Sequence, residues 1–527
     1  MKKYILPILL ICFLAAAISS CKKQLEGNYL NPEITTTGSM NKLLAGMFLN
    51  KRIHPSYWDY YTFKMLGTAL YSQIGSVEPS SNMYVANTNY TEGRWVDYYD
   101  GATGTDYNYS GPGILNTYRE MQTTYNALSA SEQEEQQVYL VLARILLCDQ
   151  TQQMIDLWGD IPFFSANSLN TESRSISLAP FDDAAAIYDS LDNYLIEANE
   201  YLSNVSVPST VQTALTTADL FYGGDVDSWR MYANSLRLRL LMRESYYDET
   251  KAESEITEIL SDATTYPLIT SNTYNTLLEE SPTTLIANLG GAFPTAWAPA
   301  YLSDTLMNQN GDPRMDVYYD YPSGSTTYKG FPSDGSASDY ENNDYTVYDS
   351  ATILYNYNLP GVVFTASEVN FLKAEAYERW GLGTASTEYE NGIRNSIDFY
   401  YGINQSKVLN TTVSNSWSTL STPSESTIST FLAQTAIAYS GTTDQKLAKI
   451  WTQKWIHFFV LQCGDAWAEY RRTGYPVLNF YTASNSSASQ PPSRLLYTST
   501  ETVYNADNYA KVSANDTRDT KIFWDVN

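Results

Sequence analysis

The residues best suited to chemistry in this chain are uncharged rings, and the chemistry they offer is non-covalent. Tyr84, Tyr90, Trp95, Tyr98, Tyr99, Tyr107 and Tyr109 share one stretch rich in Tyr, Asn, Thr and Gly. Phe293, Trp297 and Tyr301 fall in a second, around Pro294 and Pro299, and Tyr318, Tyr319, Tyr321 and Tyr328 in a third. A sugar ring has a hydroxyl edge and a C–H face. Flat Tyr and Trp side chains match that face and lose little side-chain entropy when they bind it. Neighbouring Asn, Gln and Asp can bond the hydroxyls. Any one such ring is more often packed on the scaffold than turned to a ligand, but a group this large should contain some contacts. Trp95, Tyr98, Trp297 and Tyr301 are the four expected.

Other chemistries find little support. The chain has only two histidines, His54 and His457, which removes most imidazole-based metal and triad chemistry. Both are expected to be structural. There is no phosphate-cradling Gly-Lys loop, dinucleotide glycine fingerprint, nucleophile elbow or paired-His zinc motif. The stretch Asp100 to Asp106 lacks the ordered oxygen-ligand spacing of a calcium loop, so no metal and no cofactor are expected. An acid pair about 5–10 Å apart would suffice for glycan hydrolysis, and 58 Asp and Glu residues leave that alternative open.

Charge and the first residues set the compartment. Against 58 acids stand 32 Lys and Arg, a net charge of −26, which argues against nucleic-acid binding and against a polybasic membrane surface. Met1-Lys2-Lys3, the apolar run Tyr4 to Ala17 and the small residues Ile18-Ser19-Ser20 before Cys21 read as a secretory signal, residues 1–20. The small residues ending at Cys21 resemble the bacterial lipoprotein processing box. That implies cleavage before Cys21 and acylation there, which would anchor the protein stably. No later run is long and apolar enough to span a bilayer. Cys148 and Cys463 then remain, each in an apolar helical pattern; two buried thiols are expected rather than a disulfide.

Helices must position the rings. Ser131-Glu132-Gln133-Glu134 reads as a capping box opening a helix that runs to Trp158 and stops at Gly159. Thr365 to Glu368 opens another, to Trp380 and Gly381. Thr442 to Gln445 opens a third, predicted to run unbroken to about Arg472 before Gly474. Its stripe Leu447, Trp451, Trp455, Phe459, Cys463 and Trp467 repeats every four residues and is expected to be core packing. Further helices are predicted near 39–52, 57–74, 113–128, 181–202, 228–247, 251–262, 385–401 and 427–439, with long irregular stretches at 76–112, 265–300, 316–360, 403–425 and 475–500. Short, few strands and paired helices give an all-α helical-repeat scaffold. Residues 21–33 form an N-terminal tether and 34–527 one domain.

Six landmarks then give the chain a family likeness. Leu157 to Pro162 carries a Gly-Asp-hydrophobic-Pro turn, Trp229 to Arg239 a Trp-x-x-x-Ala-Asn-Ser-Leu-x-Leu-Arg helix, and Asp312-Pro313-Arg314 a tight turn. Glu368, Leu372, Ala374-Glu375-Ala376 and Arg379 share one helix. Trp467, Glu469, Arg471-Arg472-Thr473-Gly474 and Pro476 close another, and Pro492, Arg494, Glu501 and Asn505 follow. In this order they resemble the SusD/RagB-like nutrient-binding lipoproteins, nearest to the branch with Arg-Arg-Thr-Gly-x-Pro. The resemblance implies a tetratricopeptide-like scaffold. It also implies a non-enzymatic lipoprotein, facing outward on the outer membrane, that captures oligosaccharide or peptide and passes it to a SusC-like TonB-dependent transporter. The landmarks have physical roles of their own. Arg237, Arg239 and Arg243 are expected to pair with carboxylates while their stems cover apolar surface. Arg471-Arg472 should complement a helix C-terminus.

Overall fold

The computed structural model describes residues 39–526 apart from 54–55, 78–81, 102–110, 169–177, 280–288, 294–296, 336–338, 340–343, 410–416, 418 and 482–486. The signal segment, Cys21 and the tether lie outside these, as do His54, Asp106, Tyr107 and Tyr109.

Thirteen α-helices of eight residues or more are described. They are α1 (Met40–Phe48), α2 (Thr88–Tyr99), α3 (Ile114–Asn126), α4 (Ala130–Trp158), α5 (Ala184–Asn204), α6 (Ser209–Ala218), α7 (Val226–Glu244), α8 (Glu249–Ser261), α9 (Ala366–Trp380), α10 (Ala385–Gln405), α11 (Glu425–Leu432), α12 (Thr443–Phe458) and α13 (Cys463–Thr473). A π-helix, Asp59–Thr68, follows α1. Sequence neighbours pack on each other: α3 on α4, α4 on α5, α7 on α8, α9 on α10 and α12 on α13, while α7 and α12 both lean on α9. The result is a helical, tetratricopeptide-like scaffold with long loops. Four short strands pair antiparallel in two ribbons. β1 (Thr276–Leu278) lies on β4 (Gly361–Phe364) with a bulge at Thr276/Leu277, and β2 (Tyr319–Asp320) on β3 (Val347–Tyr348).

Caps mark most predicted boundaries. Thr365 accepts from the Glu368 amide at the start of α9, and Gly381 ends it in the left-handed region. Thr442 and Gln445 cap α12 reciprocally. On α4 the box is Ser129 with Glu132, two residues before the predicted Ser131. A helix cap needs extended backbone and a free amide two or three residues on, and Ser129 has both.

Three corrections are larger. The predicted helix from 442 to 472 is two helices. Phe459, with φ of 43°, turns the chain between α12 and α13, and its ring stacks on Tyr318 at 4.0 Å. A bulky residue is held in that region only when packing over-determines it. The second correction is α2, which fills part of the stretch read as loop. Asn87 caps it by accepting from the Asn89 amide. Third, α6 was not foreseen.

The core divides into two large apolar clusters. One gathers α1 to α7 with Trp467 and Trp524; the other gathers α10 and α12 with Tyr318, Tyr348 and Phe459. The tryptophan stripe Trp451, Trp455 and Trp467 is buried as expected, and Cys148 and Cys463 are free, buried thiols. Among the described residues no helix is long and apolar enough to cross a membrane.

The landmark arginines are buried ionic ties, deeper than a surface pairing. Arg239 of α7 reaches Glu368 of α9 through Nε at 2.6 Å and Nη2 at 2.8 Å, and its guanidinium lies 4.0 Å over Phe364. Arg237 binds Asp192 and Glu255, and Arg243 pairs with Glu469, Asp465 and Asp156. Arg472 holds both oxygens of Glu375 at 2.7 Å and also binds Glu469. Arg471 stacks 3.8 Å over Trp467 and donates to the Asp156 and Ser493 carbonyls. Burial alone would push the Glu375 carboxyl up, but Arg472, Lys454 and Arg379 outweigh it and hold it below the usual range.

Candidate functional site

Four segments, with Asn479 beside them, converge on one groove of about 440 Å³. The first is the chain after the π-helix, residues 70–77. Trp455 Nε1 donates to the Ser72 carbonyl and Tyr348 Oη to the Ile74 carbonyl, at 3.1 and 2.7 Å. Gln73 sits there with φ of 55°, its side-chain amide donating to the Asn479 carbonyl. The second is the turn Met83–Tyr84, leading into α2. The third runs from Pro299 through a π-helical turn, Tyr301–Met307. The fourth is Phe331 to Asp334.

The third and fourth segments are laced together by backbone. The Ala300 amide donates to Phe331 O at 2.9 Å, the Phe331 amide to Ala298 O at 2.8 Å, and the Ala298 amide to Thr346 O at 2.8 Å. This close approach requires Gly330, since a Cβ there would lie 2.3 Å from Ala300 Cα. The Gly330 amide donates to both oxygens of Asp304, at 2.8 and 2.9 Å, and Ser303 Oγ donates to Oδ1. Asp304 is therefore locked where it lines the groove.

The groove offers the half-buried ring of Tyr301 and polar groups from Gln73, Gln309, Asn479, Asp304 and Asp334, while Tyr84 and Phe331, each 2% exposed, back its wall. Burial pushes the Tyr84 phenol up to about 12 and the Tyr301 phenol upward, so both stay hydroxyl donors at neutral pH. Tyr301 is half-buried and also lines a second hollow of about 550 Å³ with Tyr389, Lys449, Gln453 and Tyr475. Leu70, Val77 and Met83 are shared with a third, of about 440 Å³, which adds Thr62, Asn82, Asn87 and Tyr90. The arrangement suits stacking and hydrogen bonding along an extended polar ligand.

The four expected contacts are not brought together. Tyr301 lines the groove. Trp297, 7% exposed, stands behind it, packed on Phe331 at 5.2 Å and Tyr345 at 5.4 Å, with its carbonyl taking the Ser76 hydroxyl. Trp95 and Tyr98, 1% and 0% exposed, belong to the core. Trp95 meets Trp158 edge-on at 5.1 Å and donates to Glu501, and Tyr98 bonds Thr151 at 2.8 Å. The physical reason is α2: residues 91, 94, 95 and 98 recur at helical spacing and turn inward together. From the wider groups, Tyr84 and Tyr90 line hollows, and Tyr318 and Tyr319 are core. Tyr321 is 46% exposed and stacks on Tyr328 at 4.3 Å. Sequence reasoning missed Gln73, Gln309, Phe331 and Asn479. Only Phe331 carried a signal, an aromatic residue directly after Gly330. Among the described residues no group of three or more His, Cys, Asp or Glu is placed to hold a metal ion.

Comparison with known proteins agrees with this architecture. A chitin-binding protein superposes with a TM-score of 0.72 at 23% identity, covering 92% of this chain and 100% of its own. A SusD-like protein from Bacteroidetes gives 0.71 at 20%, covering 93% and 100%. A chitin-binding SusD homologue from Flavobacterium johnsoniae gives 0.70 at 22%, covering 93% and 99%. No curated protein matches the chain. The family model described as SusD-like, starch-binding associating with outer membrane, matches residues 65–498. Spanning every landmark from the Gly-Asp-x-Pro turn to Arg494, that match establishes that the chain belongs to the SusD-like family.

Proposed function

We propose that the protein captures oligosaccharides at the outer membrane without altering them, and delivers them to a SusC-like TonB-dependent transporter. The observation that carries this is the groove in which Tyr301, backed by Tyr84 and Phe331, stands among side-chain amides and carboxylates, with two further hollows sharing its lining residues. Stacking on Tyr301 holds the C–H face of one sugar, and the side-chain amides meet the hydroxyls of that sugar and its neighbours. The family's starch-binding description and the chitin-binding neighbours support a glycan over a peptide ligand. Tyr301 is the retained contact from the sequence reading, with Trp297 acting through Phe331. Acylated Cys21 supplies the anchor, and a transporter barrel is the partner.

Calorimetric titration of the purified protein with malto- and chito-oligosaccharides tests this. Tyr301→Ala should weaken binding at least about tenfold, the order expected for loss of one well-stacked ring, with the circular dichroism spectrum unchanged. No binding of either series by the parent protein sinks the assignment. The alternative, hydrolysis by an acid pair, would fall to Asp304 and Asp334, the two carboxylates of this groove. Shortened products after prolonged incubation would establish it in place of capture.

A further inference from the structure

A further, smaller cavity of about 80 Å³ lies between the π-helix, α2, α4 and the start of α13, away from the groove rings. Its walls are charged. Arg52, Lys64 and Arg94 come from one side and Asp59, Asp156 and Asp465 from the others. The balance of partners is uneven. Asp59 is taken by Arg52 and by Lys64 at 3.4 Å. Asp97, beneath it, is taken by Arg52 at 2.7 Å and Lys51 at 3.2 Å. Asp156 accepts from Tyr188 at 2.9 Å and Gln152 at 3.0 Å and sits 3.6 Å from Arg243. Asp465 faces Arg243 at 3.5 Å and Arg239 at 4.0 Å.

Arg94 is the exception. It is 2% exposed, and among the described residues it has no carboxylate within ion-pair distance. Its Nη2 makes one long hydrogen bond, 3.4 Å, to Gln150 Oε1, and its Nη1 is buried without a hydrogen-bond partner among the described residues. Guanidinium does not shed its proton in proteins. A buried charge left in this state is costly unless something answers it. The carboxylates on its side, Asp59 at the cavity and Asp97 beyond it, are already shared among Lys51, Arg52 and Lys64, which leaves Arg94 without one of its own.

We propose that this cavity is a binding site for a small monovalent inorganic anion, chloride under ordinary conditions, seated against Arg94 Nη1 with Arg52 and Lys64 on the same wall. The volume admits such an ion with a few waters, each water needing about 10–15 Å³ on this measure. The acidic far wall, Asp156 and Asp465, disfavours a doubly charged anion and fixes the ion near Arg94. Divalent cations are excluded by the three basic groups. Phe63 and Thr68 of the π-helix line both this cavity and the outer hollow at Thr62 and Tyr90, so the ion stiffens the floor beneath that hollow.

The test compares melting of the purified protein in sodium chloride and in sodium gluconate at equal ionic strength. Chloride should raise Tm by about 2 °C or more, increasing with its concentration, as expected for a ligand that binds only the folded state. Arg94→Gln should abolish the difference. Crystals of the unaltered protein grown in bromide should show an anomalous peak against Arg94 Nη1, a readout that does not depend on the variant folding. Equal melting in the two salts, or a cavity that holds water but no bromide, overturns the site. So does a chloride response that survives in Arg94→Gln.

Discussion

Two tryptophans and two tyrosines looked equivalent as residues, and their environments divide them. Tyr301 is half-buried and lines two hollows; Trp95 and Tyr98 are buried in the core. Trp95→Ala should therefore act on stability, lowering it by about 3–5 kcal/mol in urea denaturation as buried aromatic truncations do. Its ligand affinity per folded molecule should stay near the parent value. A loss of affinity with unchanged stability would return Trp95 to the binding face. The missed groove residues show why the reading stopped where it did. The left-handed backbone of Gln73 and the reach of Asn479 depend on partners hundreds of residues away, such as Trp455 over Ser72. The spacing of Thr91, Arg94, Trp95 and Tyr98, by contrast, was present in the sequence and was hidden by a loop-like composition. His457 illustrates a buried group with a pH signature. Burial, and then Arg314, lower its pKa to about 3, while Thr365 and Ser396 hold its ring nitrogens at 2.7 and 3.0 Å. The unfolded chain takes up a proton below about pH 6.5 and the folded chain does not. Its contribution is thus complete above about pH 6.5 and is lost as pH falls toward 3. Between pH 7 and pH 5 it should remove roughly 2 kcal/mol. His457→Gln should show that much less acid sensitivity in urea midpoints at the two pH values; identical acid sensitivity would contradict the assignment.

At the scale of elements, caps were legible and corners were not. Thr365, Thr442, Gly381 and Gly474 stand where the sequence placed them because capping is a local contract between a side chain and amides two or three residues away. The break at Phe459 is not local. An unbroken apolar stripe gives no hint of it, and the stack on Tyr318 from another part of the chain holds it. Helix contacts offer a sharper test. On α10, Gly392 lets Phe371 of α9 lie where a Cβ would approach its ring to 2.7 Å. Gly392→Ala should overpack that contact and cost about 1–3 kcal/mol, measured by denaturant unfolding, despite the better helix propensity of alanine. A stabilised variant would mean the two helices yield without strain.

For the whole molecule, the ionic ties are the common thread. The Arg and Glu landmarks of the family likeness turn out to join α7, α9 and α13 through Arg239–Glu368 and Arg472–Glu375, and Lys454 of α12 joins them through Glu469. Replacing one partner leaves a buried charge behind. Arg472→Met should therefore cost about 3–5 kcal/mol in unfolding free energy, even though an apolar pair in its place need not. Glu375→Gln combined with Arg472→Met should recover part of the loss; no recovery would mean that Glu375 is not the charge left exposed. At the other end of the chain, Cys21→Ala should release the protein from the membrane fraction or leave an uncleaved precursor, read by fractionation and mass. Retention at the membrane would refute the acyl anchor.

One phenol, Tyr301, forms part of the wall of two separate hollows. A ring has two faces but a single preferred tilt, so short guests arriving from opposite sides must contend for it. The protein should then accept one disaccharide across this partition rather than two, while a longer chain draped over the ring meets no such rivalry. Selectivity by length would follow from geometry alone, with no measuring device beyond a single tyrosine.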